Sequence, residues 1–319
     1  MATKIESGKM KAVRMYSRGG PENLIYEEVD IPSISDGEVL IKVYAASITP
    51  TELTWNSSYS DIHGKERFPV IPSFEISGKV QSVSDDVKNL KIGDEVYGLL
   101  NFWRDGGAAE YVAIEGANIA LKPFTIDHVS AASLPLSGLT AWQALFDYGN
   151  LSEGQSCLIH GAAGGVGSLA VQLAHWKKAN VIATCSRGKE AIVRQFGADK
   201  VLDYNSVKFE DVVREVDLVL DTVGGETLNR SYRTVKRGGT VVSVADDTNE
   251  DLERKYGVKG ISMLVKPDGN ELREIARLVD SGIVKPVVQG TYPLSQAKDA
   301  FISGIAGHNT GKIVLIVSQ

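Results

Sequence analysis

Cysteine is nearly missing from this 319-residue sequence, where Cys157 and Cys185 are the whole complement. Two thiols cannot form a disulfide framework for so long a chain. Both stand in apolar runs that read as strands, so buried free thiols in a reducing cytoplasm are expected. Runs of Lys and Arg are missing as well, and the formal charge is −6. Such a chain is poorly suited to nucleic acid or to an anionic membrane, which need a basic face. No stretch approaches the roughly 18 continuous apolar residues of a membrane span. Met1 to Lys9 is polar, has no apolar signal core and reads as a loose leader. Histidine is scarce: His63, His128, His160, His175 and His308 do not pair at ligand spacing, so surface or structural roles are expected.

What remains is an ordinary globular mixture, long enough for two domains. The first third is β-rich. Strand-like runs begin at Met10, Val39, Ile76, Glu95 and Glu110, punctuated by Gly, Pro, Asp and Asn. They suggest a small β-barrel with irregular loops. Ala131 to Tyr148 is apolar at helical spacing. From Gln155 onward strand and helix alternate: strand 156–160, helix 166–178, strand 180–184, helix 189–196, strand 200–203, helix 209–215, strand 217–221, helix 227–235 stopped by Gly238-Gly239, and strand 240–244. That alternation requires a parallel sheet covered on both faces, the doubly wound Rossmann α/β class. A helix at 270–280 follows. The tail 286–317 holds two strand-like runs around a short helix at 296–302 and is expected to return to the first domain. The domains expected are 1–128, 129–265 and 266–319.

The strongest motif is Ile159-His-Gly-Ala-Ala163-Gly164-Gly165-Val166-Gly167, which follows a strand and opens a helix. Gly164 lets backbone approach a pyrophosphate, and Gly167 lets the helix pack close to the sheet. The exposed N–H groups and the helix dipole favour phosphate. An NAD site places Asp or Glu about 20 residues further on to bind the ribose hydroxyls. Here that stretch reads Thr184-Cys-Ser186-Arg187-Gly-Lys189, with no acid, two cations and a hydroxyl. A 2′-phosphate suits these groups, so NADPH is the expected cofactor; the alternative is that the cations are a solvated helix start.

Further markers are Gly93-Asp-Glu-Val-Tyr-Gly98, Gly106-Gly-Ala-Ala-Glu-Tyr111, Pro135-Leu-Ser-Gly-Leu-Thr-Ala-Trp142, Phe196-Gly-Ala-Asp199, Asp221-Thr-Val-Gly-Gly225 and Gly311-Lys-Ile-Val-Leu315. With the glycine loop, these make the chain resemble the medium-chain dehydrogenases/reductases of the zinc-free, quinone oxidoreductase-like branch, from about Met10 to Val317. The resemblance implies a GroES-like catalytic domain beside the Rossmann domain, an active site in the cleft between them, and a homodimer. By position it implies that Thr140 lies near the nicotinamide. Ser186, Lys189 and Tyr204 then surround the adenosine phosphate, Val223, Val244, Leu264 and Val265 border the cofactor, and Lys312 is a further contact.

Zinc relatives carry Cys and His where this sequence has Thr49 and Phe74. Catalytic zinc needs three protein ligands, and Phe74 cannot serve. Without a metal, conjugated acceptors are the accessible ones, because the charge arriving with hydride spreads over an enolate or hydroquinone. The resemblance implies reduction of a quinone or other conjugated carbonyl. The alternatives are an enoyl-thioester or alkenal reductase, and a non-catalytic NADPH-binding sensor.

Candidate donors lie in the loop 49–59. The branch motif begins Asn-Pro with Asp three residues on, whereas this sequence reads Thr49-Pro-Thr-Glu52. Thr49 is then the small donor, Tyr59 a candidate proton donor and Trp55 a stacking surface. Glu52 reads as a capping or pairing residue. Trp55 and Tyr59, four apart, also fit one packed face of a helical turn. Quinones can take their proton from water, with no catalytic acid.

Overall fold

The computed structural model describes residues 8–307 and 309–318; most of the polar leader, His308 and Gln319 lie outside the described residues. The chain divides into two compact units: Met1–Leu136 with Pro267–Gly282 and Pro286–Gln319, and Ser137–Lys266 with Ile283–Lys285.

The first unit opens with a hairpin, β1 (Lys9–Arg14) against β2 (Ile25–Asp30). Next come β3 (Glu38–Ile48), β4 (Glu75–Val83), β5 (Glu95–Leu99), β6 (Tyr111–Glu115) and β7 (Ile119–Leu121). A short helix α1 (His128–Ala132) is capped by the Asp127 carboxylate, which accepts the Ser130 N–H at 2.7 Å. Pro135, without an N–H, cannot prolong α1, so it opens α2 (Pro135–Trp142), which runs on as a π-helical stretch Gln143–Tyr148. The single helical segment read from 131 to 148 is thus three pieces.

The second unit alternates as β8 (Ser156–Ile159), α3 (Gly165–Trp176), β9 (Asn180–Cys185), α4 (Glu190–Gln195), β10 (Lys200–Asp203), α5 (Phe209–Val212), β11 (Val216–Asp221), α6 (Gly225–Ser231), β12 (Val235–Ser243), α7 (Glu250–Tyr256) and β13 (Lys259–Ser262). All strand pairings are parallel, in the order β10-β9-β8-β11-β12-β13. Counting from β8, that is 3-2-1-4-5-6, the doubly wound order with its switch point between β8 and β11. Leu158, Val219 and Val241 on three adjacent strands share one buried cluster with Leu228 and Tyr232.

One boundary departs from expectation. Helix 227–235 ends at Ser231, because Val235 already pairs with Val216. Gly238 (φ +79°) and Gly239 form a bulge inside β12, not a helix stop. A Cβ at Gly239 would lie 2.8 Å from the Asp217 carbonyl oxygen.

The chain then makes α8 (Gly269–Asp280), β14 (Val288–Pro293), α9 (Ala297–Ile305) and β15 (Lys312–Ile316), all in the first unit. β15 pairs antiparallel with β3, completing a seven-stranded sheet in the order β14-β15-β3-β4-β5-β7, with β6 also on β3. β3 is buried along nearly its whole length, as a strand flanked on both edges must be.

Candidate active site

In the second unit the glycine loop sits at the carboxyl end of β8, beside the switch point. Gly161 is left-handed (φ +65°), and a Cβ there would lie 2.4 Å from Thr222 Oγ1. The Thr222 hydroxyl donates to the His160 carbonyl at 2.9 Å, tying the ends of β8 and β11 together. Gly164 caps α3, and Gly165, Val166 and Gly167 form its first turn, whose N–H groups have no intrahelical acceptor. A Cβ at Gly164 would meet the Gly161 carbonyl oxygen at 3.3 Å, a close contact, and no other atom within 4 Å. Ala163 is buried. An uncovered N-terminal turn on a twelve-residue helix fits a pyrophosphate.

Ser186, Arg187 and Lys189 occupy the turn after β9, with Gly188 at φ +88°. Tyr204 follows β10 and is exposed; its N–H donates to the Cys185 carbonyl at 3.2 Å, which holds the two turns side by side. Sequence reading found no acid here, but the fold brings Asp203 alongside, 3.9 Å from Arg187 Nε. Its carboxylate serves its own turn, accepting the Asn205 N–H at 3.0 Å and the Ser206 hydroxyl at 2.7 Å. Those bonds hold its pKa below the usual aspartate value. Arg187 remains largely exposed.

Val223 is exposed after β11, and Val244 follows β12. Val244 and Leu264 line a cavity of about 410 Å³ at the carboxyl ends of β12 and β13, together with Ser243 and Met263. Val265 is buried beside Leu264, and Thr140 is buried on α2. The Val223 turn is held by Asp221, whose buried carboxylate accepts the Gly224 N–H at 2.9 Å and the Ser243 hydroxyl at 3.3 Å. Burial raises the pKa of Asp221.

The other candidates lie in the first unit. Thr49 follows β3 and is half-buried, and its Oγ1 accepts from the Lys312 ammonium at 2.8 Å. Lys312 also pairs with Glu75 Oε1 at 2.5 Å. Lys312, read as a cofactor contact, is therefore committed to a buried ion pair. Phe74, the neighbour of Glu75, is fully buried. Its ring stacks with Trp55 (centroids 6.4 Å, 18°) and meets Phe102 edge-on at 5.2 Å. Trp55 is half-buried, leaving part of the indole uncovered. The structure does not bring Tyr59 to this group. Its ring is 1% exposed, and its hydroxyl donates to the Leu53 carbonyl at 2.6 Å. That proton fastens the loop, and the ring packs against Phe68, with centroids 5.5 Å apart. Sequence reading missed the Glu75–Lys312 pair and Phe102, whose only signal was apolar or charged residue type.

Glu52 accepts the Ser73 N–H at 3.0 Å and the Thr49 N–H at 3.4 Å, which is a capping role. Burial pushes its pKa up to about 8, against the pull of Lys312. The folded state thus keeps a proton that the unfolded chain releases above the ordinary value of 4.5, and the Glu52 contribution to stability falls as pH rises from there to about 8. Glu52→Gln is expected to remove a slope of about 1.4 kcal/mol per pH unit from that window. Thermal melts from pH 5 to 8 measure it; an unchanged slope refutes a neutral Glu52.

A doubly wound sheet and a mostly antiparallel β unit in one chain are the two-domain architecture of many dehydrogenases and reductases. Residues 35–124 match the alcohol dehydrogenase GroES-like domain, and residues 196–315 match the zinc-binding dehydrogenase domain. The mouse (Mus musculus) mitochondrial NAD(P)H oxidoreductase RTN4IP1 is 34% identical, over 88% of this chain and 82% of its own. The chloroplastic NADPH-dependent alkenal/one oxidoreductase of Arabidopsis thaliana is 35% identical, over 96% and 79%. A quinone oxidoreductase structure from Coxiella burnetii superposes with TM-score 0.90 at 31% identity, covering 98% of this chain and all of that one. The chain therefore belongs to the medium-chain dehydrogenase/reductase family, in its quinone oxidoreductase-like branch, and is an NAD(P)H-dependent oxidoreductase. Phe74 offers carbon alone, the Thr49 oxygen is held by Lys312, and among the described residues no group of three or more His, Cys, Asp or Glu could hold a metal. Among the same residues no helix is long and apolar enough to cross a membrane.

Proposed function

We propose that this protein reduces a quinone or other conjugated carbonyl compound with NADPH and without zinc, as a cytoplasmic homodimer. The observation that carries the proposal is the pairing of the Ser186-Arg187-Gly-Lys189 turn, which bears two cations and whose neighbouring carboxylates Asp203 and Glu190 are bonded within their own turns, with a non-ligating, aromatic Phe74. Two buried free thiols support the reducing compartment. Bound NADPH supplies hydride, so that NADPH, quinone and one proton give NADP⁺ and hydroquinone. Ala163, Gly164, Gly165, Val166 and Gly167 would hold the pyrophosphate. Ser186, Arg187, Lys189 and Tyr204 would surround the 2′-phosphate, and Thr140, Val223, Val244, Leu264 and Val265 would border the nicotinamide. Thr49 would donate to the acceptor oxygen, and Trp55 would offer a flat face to a conjugated ring. With the Tyr59 hydroxyl already engaged, the final proton comes from water.

The test is NADPH oxidation with a panel of quinones, cyclic enones and alkenals, run beside NADH. Turnover with at least one quinone or enone is expected, and none with saturated ketones. In the Arg187→Ala/Lys189→Ala variant, kcat/KM for NADPH is expected to fall by roughly 30- to 150-fold, with the NADH value unchanged, since two charge-assisted contacts are worth about 2–3 kcal/mol. Equal losses for both cofactors would remove the phosphate assignment. Sedimentation velocity tests the dimer.

A further inference from the structure

The strand register sets three polar side chains in a row. Ile48 of β3 pairs with Ile313 of β15, and Ser47 of β3 pairs with Glu75 of β4. The ends of β15, β3 and β4 therefore present Lys312, Thr49 and Glu75 side by side. Glu75 is 1% exposed; its Oε2 accepts the Leu136 N–H at 2.9 Å, and its Oε1 meets the ammonium at 2.5 Å. Lys312 is buried as well. Thr49 is the half-buried member of the row, beside the buried Lys312 and Glu75.

An ammonium carries three donors and no acceptor. The contact at 2.8 Å can form in one sense: Lys312 donates and Thr49 Oγ1 accepts. The threonine proton is not consumed by that bond, and the lone pair it uses is withdrawn from any other donor. A carbonyl oxygen that approaches Thr49 meets an O–H already polarised by a cation one bond behind it. Glu75 balances the cation, so the row as a whole stays neutral.

The geometry points to Lys312 as a positioning residue that makes Thr49 a one-way hydrogen-bond donor to the oxyanion that builds on the acceptor as hydride arrives. Lys312 transfers no proton; the proton that completes the hydroquinone comes from water. The inference deepens the acceptor-site proposal above and rests on it for the identity of the oxyanion. A purely structural Lys312–Glu75 pair would need no hydroxyl, and replacing a buried ion pair by uncharged groups is often neutral for stability.

The test uses the full chain in two arms. One measures kcat with a quinone alongside NADPH affinity by fluorescence. The other measures binding of 4-nitrophenolate, a stable oxyanion, in the presence of NADP⁺ and follows its absorbance shift. Thr49→Val, a near-isosteric change, and Lys312→Met/Glu75→Gln, which keeps an acceptor for Leu136, are each expected to lower kcat by about 100-fold, the scale of one lost oxyanion donor. NADPH affinity should stay within about twofold, and phenolate affinity should fall at least about tenfold. Combining the two sets should cost little more than either alone, because they disable one device. Thr49→Ser and Lys312→Arg should restore most of kcat and of the phenolate shift. If Thr49→Val keeps kcat and phenolate affinity, or the Lys312 variant keeps both while Thr49→Val loses them, the inference is overturned. Wild type that binds no phenolate overturns it too. Wild type that turns over no quinone, yet loses phenolate binding on Thr49→Val, sinks the reductase proposal and leaves the one-way donor standing.

Discussion

Gly167→Ala is expected to abolish NADPH binding and to destabilise the fold by about 3 kcal/mol or more, whereas Gly164→Ala should lose the cofactor while leaving the fold intact. The added methyl is the same, and its surroundings differ. At Gly167 a Cβ would stand 2.3 Å from the Gly161 carbonyl oxygen and 2.7 Å from Ala162 Cα, both backbone atoms that cannot swing aside. The helix would have to lift from β8, taking its first-turn N–H groups out of the loop. At Gly164 the same Cβ would meet the Gly161 oxygen at 3.3 Å, and the residue's φ of −76° suits alanine. What it would occupy is the approach to those N–H groups. Melting temperature and NADPH titration separate the two cases. Gly164→Ala should melt within a few degrees of wild type and bind NADPH at least about 30-fold more weakly, roughly 2 kcal/mol. If Gly164→Ala binds NADPH as wild type does, no phosphate passes over that residue.

That contrast shows which parts of the molecule were legible beforehand. The strands from β8 to β12 are apolar runs separated by amphipathic helices, and period alone located them. The glycine loop was legible because left-handed Gly161 and closely packed Gly167 leave no room for a side chain. α7 was not, since none of its residues is fully buried and its apolar face is the single pair Leu252 and Tyr256; its other signals were Asn249, which caps Asp251 and Leu252, and left-handed Gly257. The edge strand β13, largely uncovered, carried equally little pattern. Gly238-Gly239 was misread because a bulge and a helix stop ask the same freedom of glycine. In the acceptor group the loop 49–59 was located, but its wiring was not. Lys312 and Thr49 are 263 residues apart, and only strand register brings them together. Tyr59 was open to two readings because four-residue spacing cannot tell a hydroxyl facing outward from one tied to Leu53.

Acid is expected to destabilise the nucleotide-binding unit through His160. The imidazole is 1% exposed, with Nδ1 3.0 Å from Thr184 Oγ1 and Nε2 3.0 Å from Ser231 Oγ. Ser231 already donates its proton to the Thr227 carbonyl at 2.7 Å, so toward His160 it must accept. Nε2 therefore carries the hydrogen, and Nδ1 accepts from Thr184, which is a complete set of bonds for a neutral ring. Burial, reinforced by the Arg230 charge, pushes the pKa down to about 3. The unfolded chain then takes a proton near pH 6.5 that the folded state refuses. This contribution is complete above 6.5 and is lost as pH falls toward 3, at about 1.4 kcal/mol per unit. Glu52, in the other unit, works with the opposite sign between about 4.5 and 8, so from 4.5 to 6.5 the two nearly cancel in net proton uptake on unfolding. His160→Gln keeps a donor and an acceptor but cannot titrate. Its stability near pH 7.5 should fall by about 2 kcal/mol from imperfect packing and bonding, and its acid slope between pH 6 and 4 should become shallower by one proton. Denaturant titrations across that range measure both quantities. A His160→Gln variant with the wild-type acid slope would mean that the ring is already charged in the folded protein.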